Sequence, residues 1–210
     1  MQQPVPQTPT RERILSSAEQ LMRTIGLARA TTKEIARAAG CSEAALYKHF
    51  SSKEDLFVAV LRERLPSLMP LLDELTAGPG SRTPEEALCE VARRATLFYE
   101  AHMPISASLF AEPTLLERHR EGLRPLGAGP QLPLEALTRY LEAERAQGRI
   151  CTDADPAAAA ALLLGACFQR AFLRHFMGEH GTGEGAVEDS VDAFASGLAG
   201  TLVHGVGRAS

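Results

Sequence analysis

The chain has 210 residues, enough for one full hydrophobic core with a smaller module beside it, and carries 22 basic against 26 acidic side chains. Its four cysteines are scattered, with neither a C-x-x-C pair nor zinc-ligand spacing, which argues against a disulfide framework and a structural zinc site. The net charge of −4 is unevenly laid out. Residues 1–64 hold ten Arg and Lys against seven Asp and Glu, the remainder twelve against nineteen, and every lysine (Lys33, Lys48, Lys53) lies in one short stretch of the first part.

The opening MQQPVPQTPT is polar and proline-bearing. It shows no secretory signal and is expected to be disordered. Helix one is expected from Arg11 to Ile25, with Ile14, Leu15, Ala18, Leu21, Met22 and Ile25 on one face and Gly26 as its stop.

The segment from Thr31 to Phe50, TTKEIARAAGCSEAALYKHF, predicts two short helices joined by a tight turn. Thr31 or Thr32 can cap the first, with Glu34 in its opening turn. Gly40 ends it, because glycine takes the left-handed conformation that a helix stop needs. Ser42 caps the second, and Leu46 and Phe50, four residues apart, face inward. Ser51-Ser52 breaks the run before Lys53 opens a further helix. A cationic outer face on such a module is the arrangement expected of a helix-turn-helix that docks on DNA phosphates.

SEAALYKHFSSKEDLF resembles the recognition-helix signature of the TetR/AcrR family of bacterial transcriptional regulators. TTKEIARAAG is similar to that family's first helix-turn-helix helix, and Arg11 to Ile25 to its helix one. The resemblance covers the first quarter to third of the chain. It implies an N-terminal three-helix DNA-binding domain over residues 1–52, with the helix-turn-helix at 31–50, and a helical effector-binding and dimerisation domain over 53–210. It also implies phosphate contacts by Tyr47, His49 and Lys53, and backbone contacts by Thr32 and Lys33. From position alone, Ser42, Glu43, Ala44 and Ala45 form the first turn that base readout requires. Glu43 can accept from a cytosine N4 amine or serve only the helix dipole, and Ala44 or Ala45 can touch a thymine methyl. Lys48 is either a phosphate contact or a solvated charge.

The rest of the chain reads as helices. The fourth helix is expected from Lys53 toward Leu75, kinked or broken at Pro66 and Pro70. Residues 77–81 form a loop, and a fifth helix starts near Pro84 and buries Leu88, Val91, Ala95 and Phe98. Pro104 is expected to separate it from a short helix ending at Phe110, and Pro113 to interrupt again. Gly122 to Pro133 reads as a loop, followed by a helix that carries Leu134, Leu137 and Leu141 and ends at Gly148. No segment shows sustained strand alternation, so the expected fold class is all-α.

Asp155-Pro156 is a cap followed by proline at the first helical position, opening a helix to about Met177 that is apolar nearly all round at its start. Its apolar run, Ala157 to Phe168, falls short of a membrane span. After a glycine-rich loop, a last helix places Val187, Val191, Phe194, Leu198 and Leu202 on one stripe and Ala193, Gly197 and Gly200 on another. Two buried faces near the end of a small domain point to a partner chain, unless both faces pack within one subunit. In the family resembled, these helices pair with their symmetry mates, so a homodimer through about 156–177 and 187–206 is expected.

An effector cavity in the helical body would draw on Phe98, Tyr99, His102, Met103, Phe110, Phe168, Gln169 and Phe172, which are equally ordinary core residues. Few cations fall in those stripes, so the expected effector is an apolar small molecule. His175, Glu179 and His180 miss both metalloprotease spacings. No catalytic residues, metal or cofactor are expected. The resulting expectation is a cytoplasmic, ligand-responsive regulator, most simply a repressor, that binds a palindromic operator as a dimer. The alternatives are a constitutive DNA-binding regulator without a ligand and an all-α enzyme, for which no convergent acid–base cluster is visible.

Overall fold

The structure, a computed structural model, describes residues 9–27, 29–64, 67–78, 82–124, 127–151, 153, 155–178 and 190–205. Among the described residues there are ten helices and no strand, so the fold is all-α as expected. They are α1 (Thr10–Ile25), α2 (Thr32–Ala38), α3 (Glu43–Tyr47), α4 (Lys53–Glu63), α5 (Met69–Ala77), α6 (Pro84–Phe110), α7 (Pro113–Leu123), α8 (Leu132–Ala146), α9 (Pro156–Met177) and α10 (Val191–His204). They fall into two compact units, one of residues 1–65 and 104–127, the other of 66–103 and 128–210.

In the first unit, α1 packs against α2 and α4, α2 against α3, and α4 against α7. The apolar stripe of α1 (Ile14, Leu15, Ala18, Met22) is buried with Ile35 of α2, Leu46 of α3 and Leu56, Phe57 and Val60 of α4. Ile105, Leu109 and Leu115 complete this core. The Arg64 guanidinium holds the end of α4 to α1, donating to Glu12, to Glu19 at 3.2 Å and to Ser16 at 2.8 Å.

In the second unit, α8 packs on α5 and α9, and α9 on α10. Leu71, Leu72, Val91, Leu137, Tyr140 and Leu163 form the centre of its core. Thr83 and Glu86 cap α6 reciprocally, each backbone N–H being satisfied by the other's side chain. On α6, Arg93 and then Arg94 hydrogen-bond Glu90 and hold its carboxyl at about 2, against the opposing effect of burial. A carboxylate depressed in this way adds stability above its ordinary value of 4.5 and loses it as pH falls toward about 2. Glu90→Gln is therefore expected to flatten the acid limb of the stability profile across that window, as read by urea unfolding midpoints. An unchanged limb would show that the Arg93–Glu90 pair contributes nothing.

The interruptions expected at Pro70 and Pro113 occur, with each proline in the first turn of the helix that follows. The stretch after Lys53 is two helices, α4 and α5, with Pro70 in the first turn of α5. Pro66 lies outside the described residues, as do residues 79–81 of the expected loop. Pro113 opens α7, and Gly122 lies inside it rather than in a loop. Pro133 likewise sits in the first turn of α8. A proline there removes an N–H that has no helical acceptor anyway.

The break expected at Pro104 does not occur, and α6 runs unbroken from Pro84 to Phe110. Proline at 104 leaves the Glu100 carbonyl without its helical donor. His175 of α9 supplies a replacement, its Nε2 lying 2.9 Å from that oxygen.

α9 is 22 residues long and, by length and composition alone, apolar enough to cross a bilayer. Its inner face (Ala160, Leu163, Leu164, Cys167, Ala171) is buried, while Leu162, Phe168, Phe172, Leu173, Phe176 and Met177 are exposed. On α10, Ala195 and Ala199 are buried, and Phe194, Leu198 and Leu202 are half-buried. Val187 and residues 206–210 lie outside the described residues.

Candidate nucleic-acid interface

The helix-turn-helix is built from local signals that all agree. The Thr31 side chain accepts from the Glu34 backbone N–H, and the Glu34 carboxylate accepts from the Thr31 N–H at 3.1 Å. This reciprocal cap lowers the Glu34 pKa, chiefly through the Thr31 backbone hydrogen bond. At the far end, Gly40 adopts φ +65°, Gly40 N–H donates to the Arg37 carbonyl and Cys41 N–H to that of Ala36. That double closure is a Schellman motif, and a side chain at 40 would strain it. Arg13 Nε of α1 adds a third bond, to the Ala39 carbonyl at 3.0 Å. Ser42 then caps α3 by accepting from Ala45 N–H.

With the turn held on both sides, the side-chain directions of α3 are determined. Leu46 is 0% exposed and Phe50 is buried, whereas Tyr47 is 47% exposed. Lys33, Ser42, Glu43, Ala44, Lys48 and His49 are also exposed, and Thr32, Ala45 and Lys53 half-buried. The predicted contact residues are therefore exposed or half-buried, and none of them belongs to the buried apolar back. Lys53 sits in the first turn of α4, capped by Ser52, with its ammonium 5.1 Å from the centre of the Phe57 ring. That contact orients the side chain without neutralising it.

Three of these residues are linked directly. The Thr32 hydroxyl donates to Glu43 Oε1 at 2.6 Å, and the Tyr47 hydroxyl approaches Thr32 Oγ1 at 3.4 Å. Neither bond is written in the sequence, since Thr32 and Glu43 lie on different helices. Arg13 is the other participant that sequence reasoning missed, because its target is a backbone carbonyl 26 residues away.

The residues named for an effector are spread out. Phe98, Tyr99 and His102 cluster on α6, with Phe98 to Tyr99 centroids at 5.1 Å and Phe98 to His102 at 3.9 Å. Phe168 meets Tyr99 edge-on at 5.5 Å, and Met103 is half-buried. Gln169 and Phe172 are exposed on α9, where Phe172 stacks on Phe176. Phe110 belongs to the other unit and is 70% exposed. A shallow hollow does exist in the first unit, lined by Leu27, Lys53, Glu54, Phe57, Glu112 and Leu115, none of which was assigned to a ligand. His175 serves the Glu100 carbonyl, while Glu179 and His180 lie outside the described residues.

The profile of bacterial regulatory proteins of the tetR family matches residues 14–60, and that of the C-terminal domain of AefR-like transcriptional repressors matches 122–196. An uncharacterised HTH-type transcriptional regulator of Bacillus subtilis (strain 168), YvkB, is 38% identical over 66 residues, 31% of this chain and 35% of that protein. The chain thus matches about a third of that relative's length. A transcriptional regulator of the TetR/AcrR family from Thermobifida fusca superposes with a TM-score of 0.60 at 25% identity, over 94% of this chain and 98% of that one. FadR of Bacillus subtilis, in complex with stearoyl-CoA, superposes with a TM-score of 0.63 at 16% identity, over 93% and 99%.

Proposed function

From the premise that the chain belongs to the TetR/AcrR family of bacterial transcriptional regulators, we propose a ligand-responsive repressor that binds a palindromic operator as a dimer and is released by a small molecule. One observation carries the reading: Tyr47, Lys48 and His49 stand exposed beside α3 while Leu46 behind them is sealed in the core. Such an edge can follow phosphates while the first turn of α3, from Ser42 to Ala45, reaches base edges. Recognition of the duplex is assigned to residues 1–52 with Lys53, and effector binding and dimerisation to 53–210.

The exposed outer face of α9 is the surface assigned to the homodimer, together with α10. A two-fold dimer reads half-sites about 34–36 Å apart, or a multiple of that. We read α9 as a pairing helix rather than a membrane span, because Arg174 pairs with Glu100 of α6 at 3.2 Å. All four cysteines are free, which suits a reduced cytoplasm. The Phe98–Tyr99–Phe168 cluster favours an apolar effector, and FadR supplies a precedent in an acyl-CoA. Release requires that the effector prefer the state that does not fit DNA. The protein is proposed to act by binding, with no reaction of its own.

The test is retention of duplex DNA over a series of salt concentrations. Lys53→Ala is expected to weaken binding to all sequences alike and to lower the salt slope by about one unit. An unchanged slope removes Lys53 from the phosphate contacts. No retention of any duplex at low salt overturns the reading, whereas retention that no small molecule alters leaves a constitutive regulator.

A further inference from the structure

Among the residues assigned to DNA, Glu43 is the one acidic side chain. A carboxylate there is repelled by the DNA backbone, so its position needs a cause. The structure supplies one in the 2.6 Å bond from the Thr32 hydroxyl, which holds Glu43 Oε1 against the start of α2. Thr32 Oγ1 in turn faces the Tyr47 hydroxyl at 3.4 Å. The three groups form a directed chain in which Tyr47 donates to Thr32 and Thr32 donates to Glu43.

Proton counting gives this chain a consequence. Phosphate oxygens only accept, so Thr32 can anchor a phosphate only by donating its hydroxyl proton, and it has one. That proton is committed to Glu43. The Tyr47 bond is long and cheap to break, but the bond to the Glu43 carboxylate is short and charge-assisted. When phosphate takes the Thr32 proton, Glu43 must turn away toward the groove. It then either finds a donor or stays unpaired in a site that water is leaving, which is costly. Of the two major-groove amines, the cytosine N4 amine suits a carboxylate, because the adenine N6 amine is flanked by the acceptors N7 and thymine O4, which repel it.

We infer that Glu43 determines sequence specificity by occupying the Thr32 hydroxyl, so that the phosphate anchor is released only on a duplex offering the carboxylate a cytosine amine. This inference rests on the DNA-binding reading above. It makes Thr32 the positioning residue that couples backbone anchoring to base readout. Glu43 then does more than contact a base, because it withholds affinity wherever that base is missing.

The experiment measures affinity of the full-length protein for two duplexes at one fixed salt concentration, poly(dA-dT) and poly(dI-dC). The second presents the cytosine amine while keeping a minor groove like that of A·T. Glu43→Ala is expected to tighten binding to poly(dA-dT) about tenfold, and poly(dI-dC) by about threefold or less. Placed on Thr32→Val, the same Glu43→Ala change is expected to differ between the two duplexes by much less than with Thr32 present, leaving only the direct base contact. Thr32→Ser keeps the hydroxyl and is expected to behave as the parent. Thr31, not Thr32, caps α2, so the valine variant should fold, and circular dichroism checks this. An equal effect of Glu43→Ala on the two duplexes with Thr32 present overturns the inference. So does a duplex dependence that Thr32→Val leaves undiminished. A parent protein that retains neither duplex overturns the regulator reading itself.

Discussion

Replacing Leu46 by alanine is expected to cost the first unit about 3 kcal/mol, within the usual range for a sealed leucine. Leu46 is fully buried at 0% exposure, in one core with Leu15, Ile35, Phe50 and Phe57. It is also the buried anchor of α3, a helix of five residues. A helix that short has almost no stability of its own, so its orientation depends on packing and its Ser42 cap. Amide exchange over residues 10–63 should accelerate about a hundredfold, the equivalent of that loss. Exchange in α8 should not change. Duplex retention should also fail at a temperature lower by roughly 10–20 °C. Unaltered exchange in α3 would mean that the turn and caps alone hold the recognition helix.

The second large effect is expected in the other unit. Glu144 is 0% exposed, and Arg149 Nη2 lies 2.5 Å from its Oε1. The meeting depends on the end of α8: Gly148 takes φ +70° and Arg149 N–H closes onto the Glu144 carbonyl at 3.0 Å. Glu144 Oε2 and the neighbouring Tyr140 hydroxyl make no hydrogen bond of ordinary geometry. Burial first, and then the Glu144 carboxylate, push the Tyr140 pKa up. Arg149→Ala strands a buried carboxylate and is expected to destabilise the unit by about 3 kcal/mol. Adding Glu144→Leu should recover most of that loss, because an apolar side chain has no charge to compensate. A double-mutant cycle in urea measures both. If Arg149→Ala is neutral, Glu144 reaches water and the pair is not structural.

The helix-turn-helix was legible because its determinants are local. Thr31, Glu34, Gly40 and Ser42 act on backbone groups within three to five residues of themselves, and such spacing is visible in a string of letters. Leu46 inward with Tyr47 outward follows from helical periodicity in the same way. Glu144 carried a readable signal too, lying one turn beyond Tyr140 on the stripe of Leu137 and Leu141, but a charge at that spacing is ordinarily solvated. The long α6 was not legible. Pro104 reads as a break until a histidine 75 residues beyond Glu100 takes up the carbonyl that proline orphans.

The amino-acid string by itself determined the helical class, the two short helices around Gly40 and the residues on their accessible edge. Each of these is settled by interactions within a turn or two of chain. Only the folded chain decided that Thr32 holds Glu43, that Arg13 ties α1 to the turn, that α6 passes through Pro104 and that Glu144 is buried with Arg149. Apart from the last pair, brought together by the turn at Gly148, these contacts join residues from different helices. Their partners are chosen by packing, which leaves no periodic trace in sequence.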